Sequence, residues 1–192
     1  MANLDLIFLA GSARRESLNK QLARYACECA AAYADVDAEF LDLGDYPMPI
    51  YNGDLEAESG LPEEAERFKA RLVACDGLFI ASPEYNSSFT PLLKNAIDWA
   101  SRRATPDEPA LLAYRGKVAG LAATSAGALG GLRGLVALRM LLGNIGVHVL
   151  PDQAAVPNGH QVFADTPNAE ALDRVRAVVD ALVDTTRALN RR

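Results

Sequence analysis

A short apolar segment followed by a polar loop and a proline-led helix constrains the fold of this chain more than any other feature. Residues 77–81 are apolar throughout and are bounded by polar residues, which is typical of a strand covered on both faces. Thr90 can cap the next helix through its hydroxyl, and Pro91 suits the first helical position, where its missing N–H costs nothing. The sequence therefore predicts a buried strand, a polar loop at its carboxyl end and a helix over residues 91–103.

Strand and helix patterns alternate along the rest of the chain. We expect five strands, of which the second has the alternation of an edge strand, at residues 4–10, 37–43, 77–81, 117–123 and 147–150. The expected helices cover residues 18–33, 63–75, 91–103, 131–143 and 168–189. This order predicts an α/β fold, a doubly wound five-stranded parallel sheet in strand order 2-1-3-4-5 with helices on both faces. Ligands bind at the carboxyl ends of such strands, so we expect a ligand crevice where strands 1 and 3 diverge.

Length and charge exclude several classes of function. The 192 residues suit a single domain spanning residues 1–192. A formal net charge of −6 argues against binding to nucleic acid, because a phosphate backbone requires a basic face. The chain has no apolar run near the ~18 residues of a membrane span, and its first residues lack the pattern of a secretory signal. We therefore expect a cytoplasmic protein with neither nucleic-acid nor membrane partners.

The cysteines and histidines do not have the spacing of metal ligands. Cys27, Cys29 and Cys75 lack a metal-binding pattern, so we expect buried or half-buried thiols. His148 follows an apolar strand residue and His160 lies in a loop, neither beside a cysteine, histidine or acidic cluster. No metal site is expected.

The loop after strand 1 contains the groups that a phosphate monoester requires. Ser12 and Ser17 offer hydroxyls, Asn19 an amide and Arg14 a guanidinium fork, beside the N–H groups of a helix N-terminus. The alternative is a capped turn in which Ser17 is the N-cap and Ser12 has no ligand role. The loop matches neither the P-loop nor the dinucleotide glycine pattern, which argues against those two nucleotide sites.

Two further loops are candidates for binding a flat ring. Glu84, Tyr85 and Asn86 offer polar groups to a heteroaromatic ligand after strand 3, although Tyr85 could equally be a surface residue that seals the crevice. Residues 124–131 are small and glycine-rich, and their successive N–H groups could stabilise negative charge. Those glycines could also simply permit helix packing. Because all three loops follow parallel strands, we expect them to converge on one ligand.

These segments together resemble the NADPH-dependent FMN reductase family, flavodoxin-like flavoenzymes that include quinone, azo-dye and chromate reductases. The motif PEYN, followed eight residues later by KNAIDW, carries most of the resemblance. The segments GSARRESLN, YNGDLEAESGLP and TSAGALGGLRG extend it over nearly the whole chain. Thr90-Pro91 stands where many members have Pro-Gly, a change that the helix cap makes structurally harmless.

The resemblance implies FMN as cofactor and NADPH or NADH as co-substrate. It places the FMN phosphate at the first loop and the ribityl chain and ring at the other two. The implied cofactor-binding residues are Ser12, Arg14, Ser17, Leu18, Asn19, Pro83, Glu84, Tyr85, Asn86, Ser125, Ala126 and Gly127.

The activity that follows is hydride transfer from NAD(P)H through the flavin to a quinone, azo, chromate or flavin acceptor. We expect a ping-pong mechanism in which no side chain acts as a catalytic acid or base, because the cofactor supplies the chemistry. The alternatives are a flavodoxin-type electron carrier and a cofactor-free regulatory module.

A long apolar connection predicts that the chain assembles into oligomers. Residues 44–62 form a loop of a length that is usually functional or at an interface, and residues 46–51 are too apolar for a solvated connector. We expect residues 46–51 and the helix at 91–103, with Trp99, to be buried in a two-fold homodimer, or in a homotetramer. The alternative places Trp99 in the ordinary core.

Overall fold

The computed structural model describes residues 3–164 and 167–190, which contain one five-stranded parallel sheet. Its strands are β1 (Leu4–Ala10), β2 (Val36–Leu41), β3 (Gly77–Ala81), β4 (Val118–Thr124) and β5 (His148–Val156). They lie in the order β2-β1-β3-β4-β5 and every neighbouring pair is parallel. The predicted flavodoxin-like topology is confirmed. Met1 and Ala2, which entered the expectation about a signal segment, lie outside the described residues.

Helices cover both faces of the sheet. They are α1 (Leu18–Ala31), α2 (Gly53–Ser59), α3 (Glu63–Ala74), α4 (Pro91–Ser101), α5 (Leu132–Asn144), α6 (Gly159–Val162) and α7 (Ala169–Asn190). Alternate residues of β1 enter separate cores, with Leu6 and Phe8 packed beneath α1 and α7, and Ile7 and Leu9 beneath α3, α4 and α5. A strand buried on both faces must be apolar throughout, which explains why β1 and β3 were recognisable from sequence.

The helix caps form as the residue types indicate. The Ser17 hydroxyl accepts a hydrogen bond from the Lys20 N–H at the start of α1. Thr90 caps α4 by accepting from the Leu93 N–H at 3.2 Å, and its hydroxyl also donates to the Gly11 carbonyl at 2.7 Å. Thr90 therefore ties the start of α4 to the end of β1.

The loop at residues 44–62 and the end of β5 contain structure that local patterns did not predict. The loop at residues 44–62 includes α2, which Asn52 caps by accepting from the Asp54 N–H. Strand β5 continues past its predicted end at Leu150 and through Pro151 to Val156, with a register shift against β4. Proline is tolerated there because β5 is an edge strand and the shift absorbs the missing hydrogen bond.

Trp99 belongs to the core of its own subunit, so the prediction that a dimer buries it is wrong. Its side chain is 0% exposed in the single chain, and its indole N–H donates to the Pro49 carbonyl at 2.8 Å. The ring also packs edge-on against Tyr51. Residues 46–51 fold back over α4 and cover it, which confirms the alternative that Trp99 is ordinary core.

The three cysteines are free thiols, of which Cys29 and Cys75 are buried and Cys27 is half-buried, as expected. Burial raises the pKa of the Cys75 thiol to about 12 and that of Cys27 to about 11, so neither is a reactive thiolate. Within residues 3–164 and 167–190, no helix combines the length and apolarity that crossing a bilayer requires.

Candidate functional site

Three loops meet at the carboxyl edge of the sheet because the strands that precede them are parallel neighbours. The first loop (residues 11–17) follows β1, the second (residues 82–90) follows β3, and the third (residues 125–131) follows β4. The Gly11 N–H donates to the Ala81 carbonyl and the Ser82 N–H to the Ala122 carbonyl, so each loop starts in register with the next. The predicted site residues are thereby brought to one edge.

The first loop keeps its helix N-terminus open to a ligand. The Ser12 hydroxyl accepts from the Arg14 N–H at 3.3 Å, and both Ser12 and Ser17 are buried. Among the described residues, the N–H groups of Leu18 and Asn19 have no protein acceptor. Arg14, in the same loop, is exposed. Free N–H groups at the positive end of α1, in a loop that also carries an arginine, suit an anion.

The Asn19 side chain is used by the protein itself. Its amide nitrogen donates to the Thr124 carbonyl at 2.9 Å, and its oxygen accepts from the Thr124 N–H at 3.0 Å. This buried pair fastens the start of α1 to the end of β4. Asn19 therefore offers a ligand its backbone N–H, while its amide sets the distance between the first and third loops.

A buried ion pair next to the first loop was missed by sequence reasoning. The Lys20 ammonium lies 2.6 Å from the Asp42 carboxylate, and Lys20 is buried. The other Asp42 oxygen accepts from the Gly44 N–H at 2.9 Å. The pair holds α1 against the turn that follows β2. No local signal could have found it, since a lysine in a helix is normally solvated.

The second loop contains a tight two-residue turn. The Tyr85 N–H donates to the Ser88 carbonyl at 2.8 Å, and the Ser88 N–H donates back at 3.0 Å. Asn86 and Ser87 both have positive φ, at 50° and 66°, as a type I′ turn requires. Tyr85, at the start of the turn, is 54% exposed.

Glu84 joins the second loop to the start of α5. Its carboxylate accepts from the backbone N–H groups of Arg133 at 3.0 Å and Gly134 at 3.1 Å, and it pairs with the Arg133 guanidinium. Partial burial opposes ionisation of Glu84, but these hydrogen bonds outweigh it and hold the pKa of the carboxyl below its usual value. The Glu84 side chain is thus a helix cap, and Pro83, half-buried before it, shapes the loop.

The third loop depends on glycine at its end. A Cβ at Gly130 would lie 2.5 Å from the Val156 carbonyl carbon, and one at Gly131 would lie 2.6 Å from the Ala123 Cβ. Both glycines have positive φ, at 58° and 86°. Ser125 is half-buried and the next residues are exposed. Over the described parts of the chain, the N–H groups of residues 126–128 find no protein acceptor, so they form a row of available donors.

A fourth segment, residues 157–160, lies against the third loop, and the sequence did not predict it as part of the site. The Gly159 N–H donates to the Ser125 carbonyl at 2.8 Å, and a Cβ at Gly159 would lie 2.5 Å from the Thr124 hydroxyl. The exposed His160 follows directly. Because β5 was predicted to end at Leu150, the sequence did not indicate that this segment reaches the site.

A cleft of about 190 Å³ opens between the first loop and α4. Its walls include Ala13 from the first loop, Tyr46 and Met48 from the segment that covers α4, and Leu92 and Asn95 from α4. It is a mainly apolar recess beside the first loop. The site as a whole offers free N–H donors at the start of α1, an apolar recess, and a row of backbone N–H groups in the third loop.

Comparison with known proteins gives consistent results over most of the chain. The family model of the NADPH-dependent FMN reductases matches residues 4–161. A 2-hydroxy-1,4-benzoquinone reductase of a Burkholderia species is 35% identical over 172 residues, 85% of this chain and 88% of that protein. A quinone reductase of Escherichia coli K12 is 33% identical over 89% of this chain and 86% of its own.

The structural comparison agrees with the sequence comparison. FerB, a flavoenzyme NAD(P)H:(acceptor) oxidoreductase from Paracoccus denitrificans, superimposes with a TM-score of 0.78 at 28% identity. The match covers 96% of this chain and 98% of FerB. The fold and the sequence therefore agree over most of the chain.

Proposed function

Because the chain belongs to the NADPH-dependent FMN reductase family, we propose that it is an FMN-dependent NAD(P)H oxidoreductase with small-molecule acceptors. One observation carries the proposal. The loops after β1, β3 and β4 meet at one edge and leave backbone N–H groups without protein acceptors at the start of α1 and at residues 126–128. The relatives named quinone reductase favour a quinone as acceptor.

The first loop fits a terminal phosphate. The N–H groups of Leu18 and Asn19 would bind its oxygens at the positive end of α1, with the Arg14 guanidinium as counter-charge. Ser12 and Ser17 line the same turn. A mononucleotide such as FMN ends in this group, whereas a dinucleotide would also need an adenosine site.

The second and third loops fit a flat polar ring. Tyr85 and Asn86 would wall one edge, and Ser125, Ala126 and Gly127 would approach the ring closely because they are small. The free N–H groups there would stabilise negative charge on the ligand. Bound FMN would supply hydride acceptance and donation, so no protein acid or base is required.

The side chains of Asn19 and Glu84 would support the cofactor site indirectly, by holding its loops in place. Both side chains are engaged, Asn19 with Thr124 and Glu84 with the start of α5. Each fixes the spacing of two ligand loops. We therefore expect their loss to disturb the whole crevice rather than to remove a single contact.

A visible absorbance spectrum of purified protein with added FMN tests the function, followed by anaerobic addition of NADPH. The proposal expects FMN uptake, bleaching by NADPH and steady NADPH consumption with a quinone. Bleaching without turnover would indicate a flavodoxin-type carrier. Failure to bind FMN would indicate a regulatory module.

Replacing Arg14 with alanine tests the phosphate assignment. It removes a charge-assisted contact worth about 1.5–3 kcal/mol, so FMN affinity should fall by roughly ten- to hundredfold. Arg174→Ala is the matched control, because it removes the same charge from an exposed i,i+4 ion pair on α7. Unchanged affinity in Arg14→Ala would rule the assignment out, unless Arg15→Ala shows the loss instead.

The kinetic order tests whether one opening serves both substrates. Residues 85–87 of the second loop and 126–129 of the third are exposed, so we expect NAD(P)H and a quinone, azo, chromate or flavin acceptor to use the same open face in turn. Varying NADPH at several fixed quinone concentrations should give parallel double-reciprocal lines. Intersecting lines would show that both substrates bind together. A homodimer or homotetramer acting in the cytoplasm, with neither nucleic-acid nor membrane partners, completes the proposal.

A further inference from the structure

A second cleft, of about 480 Å³, lies between α3 and the segment that follows α4. We call it the α3 cleft. It is larger than the cleft of about 190 Å³ beside the first loop. Helix α3 ends at Ala74 shortly before β3 begins at Gly77, so this end of the α3 cleft is at the amino edge of the sheet, opposite the three loops. Cavities of roughly 300–1,000 Å³ are the usual size of small-molecule sites.

The α3 cleft has apolar side chains on both of its walls. Val73 on α3 and Leu112 after α4 are 37% and 38% exposed. Ala70 and Ala74 on α3 and Ala104 after α4 also line it. Small-molecule sites combine a mainly apolar lining of this kind with a small number of polar groups.

A buried lysine supplies the polar group of the α3 cleft. Lys69 lines the cleft and is only 4% exposed. Its ammonium donates to the Arg102 carbonyl at 2.6 Å and pairs with the Glu108 carboxylate. An ammonium has three N–H groups, and the third has no acceptor among the residues that the structure describes. That N–H group is available to an acceptor atom of a ligand.

The charges around the α3 cleft favour a neutral ligand. Two cations, Lys69 and Arg103, act on the Glu108 carboxylate, and Glu66 adds a second carboxylate to the lining. An anionic ligand would approach two carboxylates, and a cationic ligand would approach the Lys69 ammonium. Burying either charge without a free counter-charge costs free energy. A neutral molecule with an acceptor oxygen avoids that cost.

The segment that forms the second wall is long and has a strained backbone. Residues 102–117 connect α4 to β4 without a helix or strand, and ordered loops of this length are usually functional. Leu111 has a φ of 61°, in the left-handed region that is costly for a leucine. Such strain is concentrated at ligand sites. It precedes Leu112, which lines the cleft.

We propose that the α3 cleft is a second small-molecule site, and that its ligand is a neutral aromatic molecule with a carbonyl group. The ring would pack between Val73 and Leu112, and the carbonyl oxygen would accept the free N–H of Lys69. The α3 cleft shares no lining residue with the loops at the carboxyl edge, so the inference does not rest on the proposed function.

Protein-observed NMR with acetophenone as the probe tests the site. Ethylbenzene has nearly the same shape without the carbonyl oxygen, and benzoate replaces the acetyl group with a negative charge. Acetophenone should shift the methyl signals of Val73 and Leu112 with saturation, and should bind roughly tenfold more tightly than either control. These methyl groups report on the α3 cleft alone, so binding of the probe elsewhere does not confuse the result.

Three outcomes of this titration would overturn the proposal. Unmoved Val73 and Leu112 signals at millimolar acetophenone would mean that the cleft binds no such molecule. Equal affinity for ethylbenzene would remove the hydrogen bond to Lys69. Tighter binding of benzoate would make the cleft an anion site.

Filling the α3 cleft gives the matched variant. Ala70→Trp places a large side chain at an exposed position of α3 within the cleft, and Ala177→Trp places one at an exposed position of α7. Acetophenone affinity should fall at least tenfold in Ala70→Trp and stay unchanged in Ala177→Trp. Equal affinities in the two variants would contradict the assignment.

A double substitution tests the role of the ion pair. Lys69→Met alone would leave the Glu108 carboxylate unpaired, so we combine it with Glu108→Leu, which replaces the pair with apolar side chains. The double variant should bind acetophenone and ethylbenzene equally. A retained tenfold preference for acetophenone would exclude Lys69 as the donor. If the double variant does not fold, the comparison of Ala70→Trp with Ala177→Trp still decides the site.

Discussion

Helices α4 and α5 lie on the same face of the sheet, yet only one of them is covered. On α4, Leu93 and Trp99 are fully or almost fully buried, and residues 46–51 lie across the helix. On α5, Val136 and Met140 are more than half exposed. Both helices follow a loop at the carboxyl edge of the sheet, and both carry apolar residues at helical spacing. The comparison shows that the covering segment, rather than helix composition, decides which face remains free.

The cover over α4 is held by specific hydrogen bonds. Asn95 donates to the Pro49 carbonyl and accepts from the Tyr51 N–H, both at 2.8 Å. Trp99 donates to the same Pro49 carbonyl. These bonds engage both a backbone carbonyl and a backbone N–H of residues 46–51. The apolar segment therefore needs no partner subunit to hold it in place. Ile50, at the tip of the segment, is 86% exposed.

The largest effect should come from removing the side chain that the cover protects. Trp99→Ala should lower the free energy of unfolding by about 3–5 kcal/mol, because it leaves a cavity and removes the indole hydrogen bond to the Pro49 carbonyl. Urea denaturation followed by circular dichroism measures this loss. Ile50→Ala, on the exposed tip, should change it by about 0.5 kcal/mol or less. Similar losses in the two variants would contradict the idea that residues 46–51 shield α4.

Releasing the cover itself should have an intermediate effect. Asn95→Ala removes the bonds to Pro49 and Tyr51, which should cost about 1–3 kcal/mol and expose residues 46–51 to limited proteolysis. The neighbouring Lys94→Ala removes only an exposed i,i+4 pair, worth roughly 0.3–0.5 kcal/mol. If both variants resist protease equally, the cover does not depend on Asn95.

The attachment of α5 should depend on pH through Glu84. Glu84→Gln should cost about 1–2 kcal/mol at pH 7, because the carboxylate caps a helix N-terminus and binds Arg133. The folded pKa is lowered, so this stabilisation is present above the unfolded value near 4.3 and is lost as pH falls through the folded pKa. Urea midpoints of the two proteins should therefore converge at acidic pH.

The exposed Glu58 on α2 supplies the control for that measurement. Glu58→Gln should parallel the unaltered chain at every pH, because its side chain is exposed and makes no cap. A gap between Glu84→Gln and the unaltered chain that persisted unchanged at pH 3 would mean that the charge of Glu84 does not hold α5.

The smallest effect should appear on the free face of α5. Met140→Ala should change the free energy of unfolding by about 0.5 kcal/mol or less, since the side chain is 66% exposed. Urea denaturation measures the change, and a loss as large as that of Trp99→Ala would contradict the difference between the two helices.

Local sequence patterns predicted much of the fold, because buried strands and helix caps are indicated by a few neighbouring residues. Strands β1 and β3 form with the predicted bounds, and Ser17 and Thr90 cap helices as their residue types indicate. Strand β5 was predicted too short, because Pro151 usually ends a strand and only its edge position makes it tolerable. The assignment of individual cofactor contacts remains a prediction.

The sequence by itself determined the parallel sheet, its strand order and the convergence of three loops, because apolar runs, caps and turn residues act over a few positions. Only the tertiary structure decided how polar side chains are used. Asn19 meets Thr124, 105 positions away, and Glu84 meets Arg133, 49 positions away. It also decided that Trp99 is covered and Val136 is not. Such pairings depend on how segments distant in sequence pack together, and the local sequence around each residue does not predict that packing.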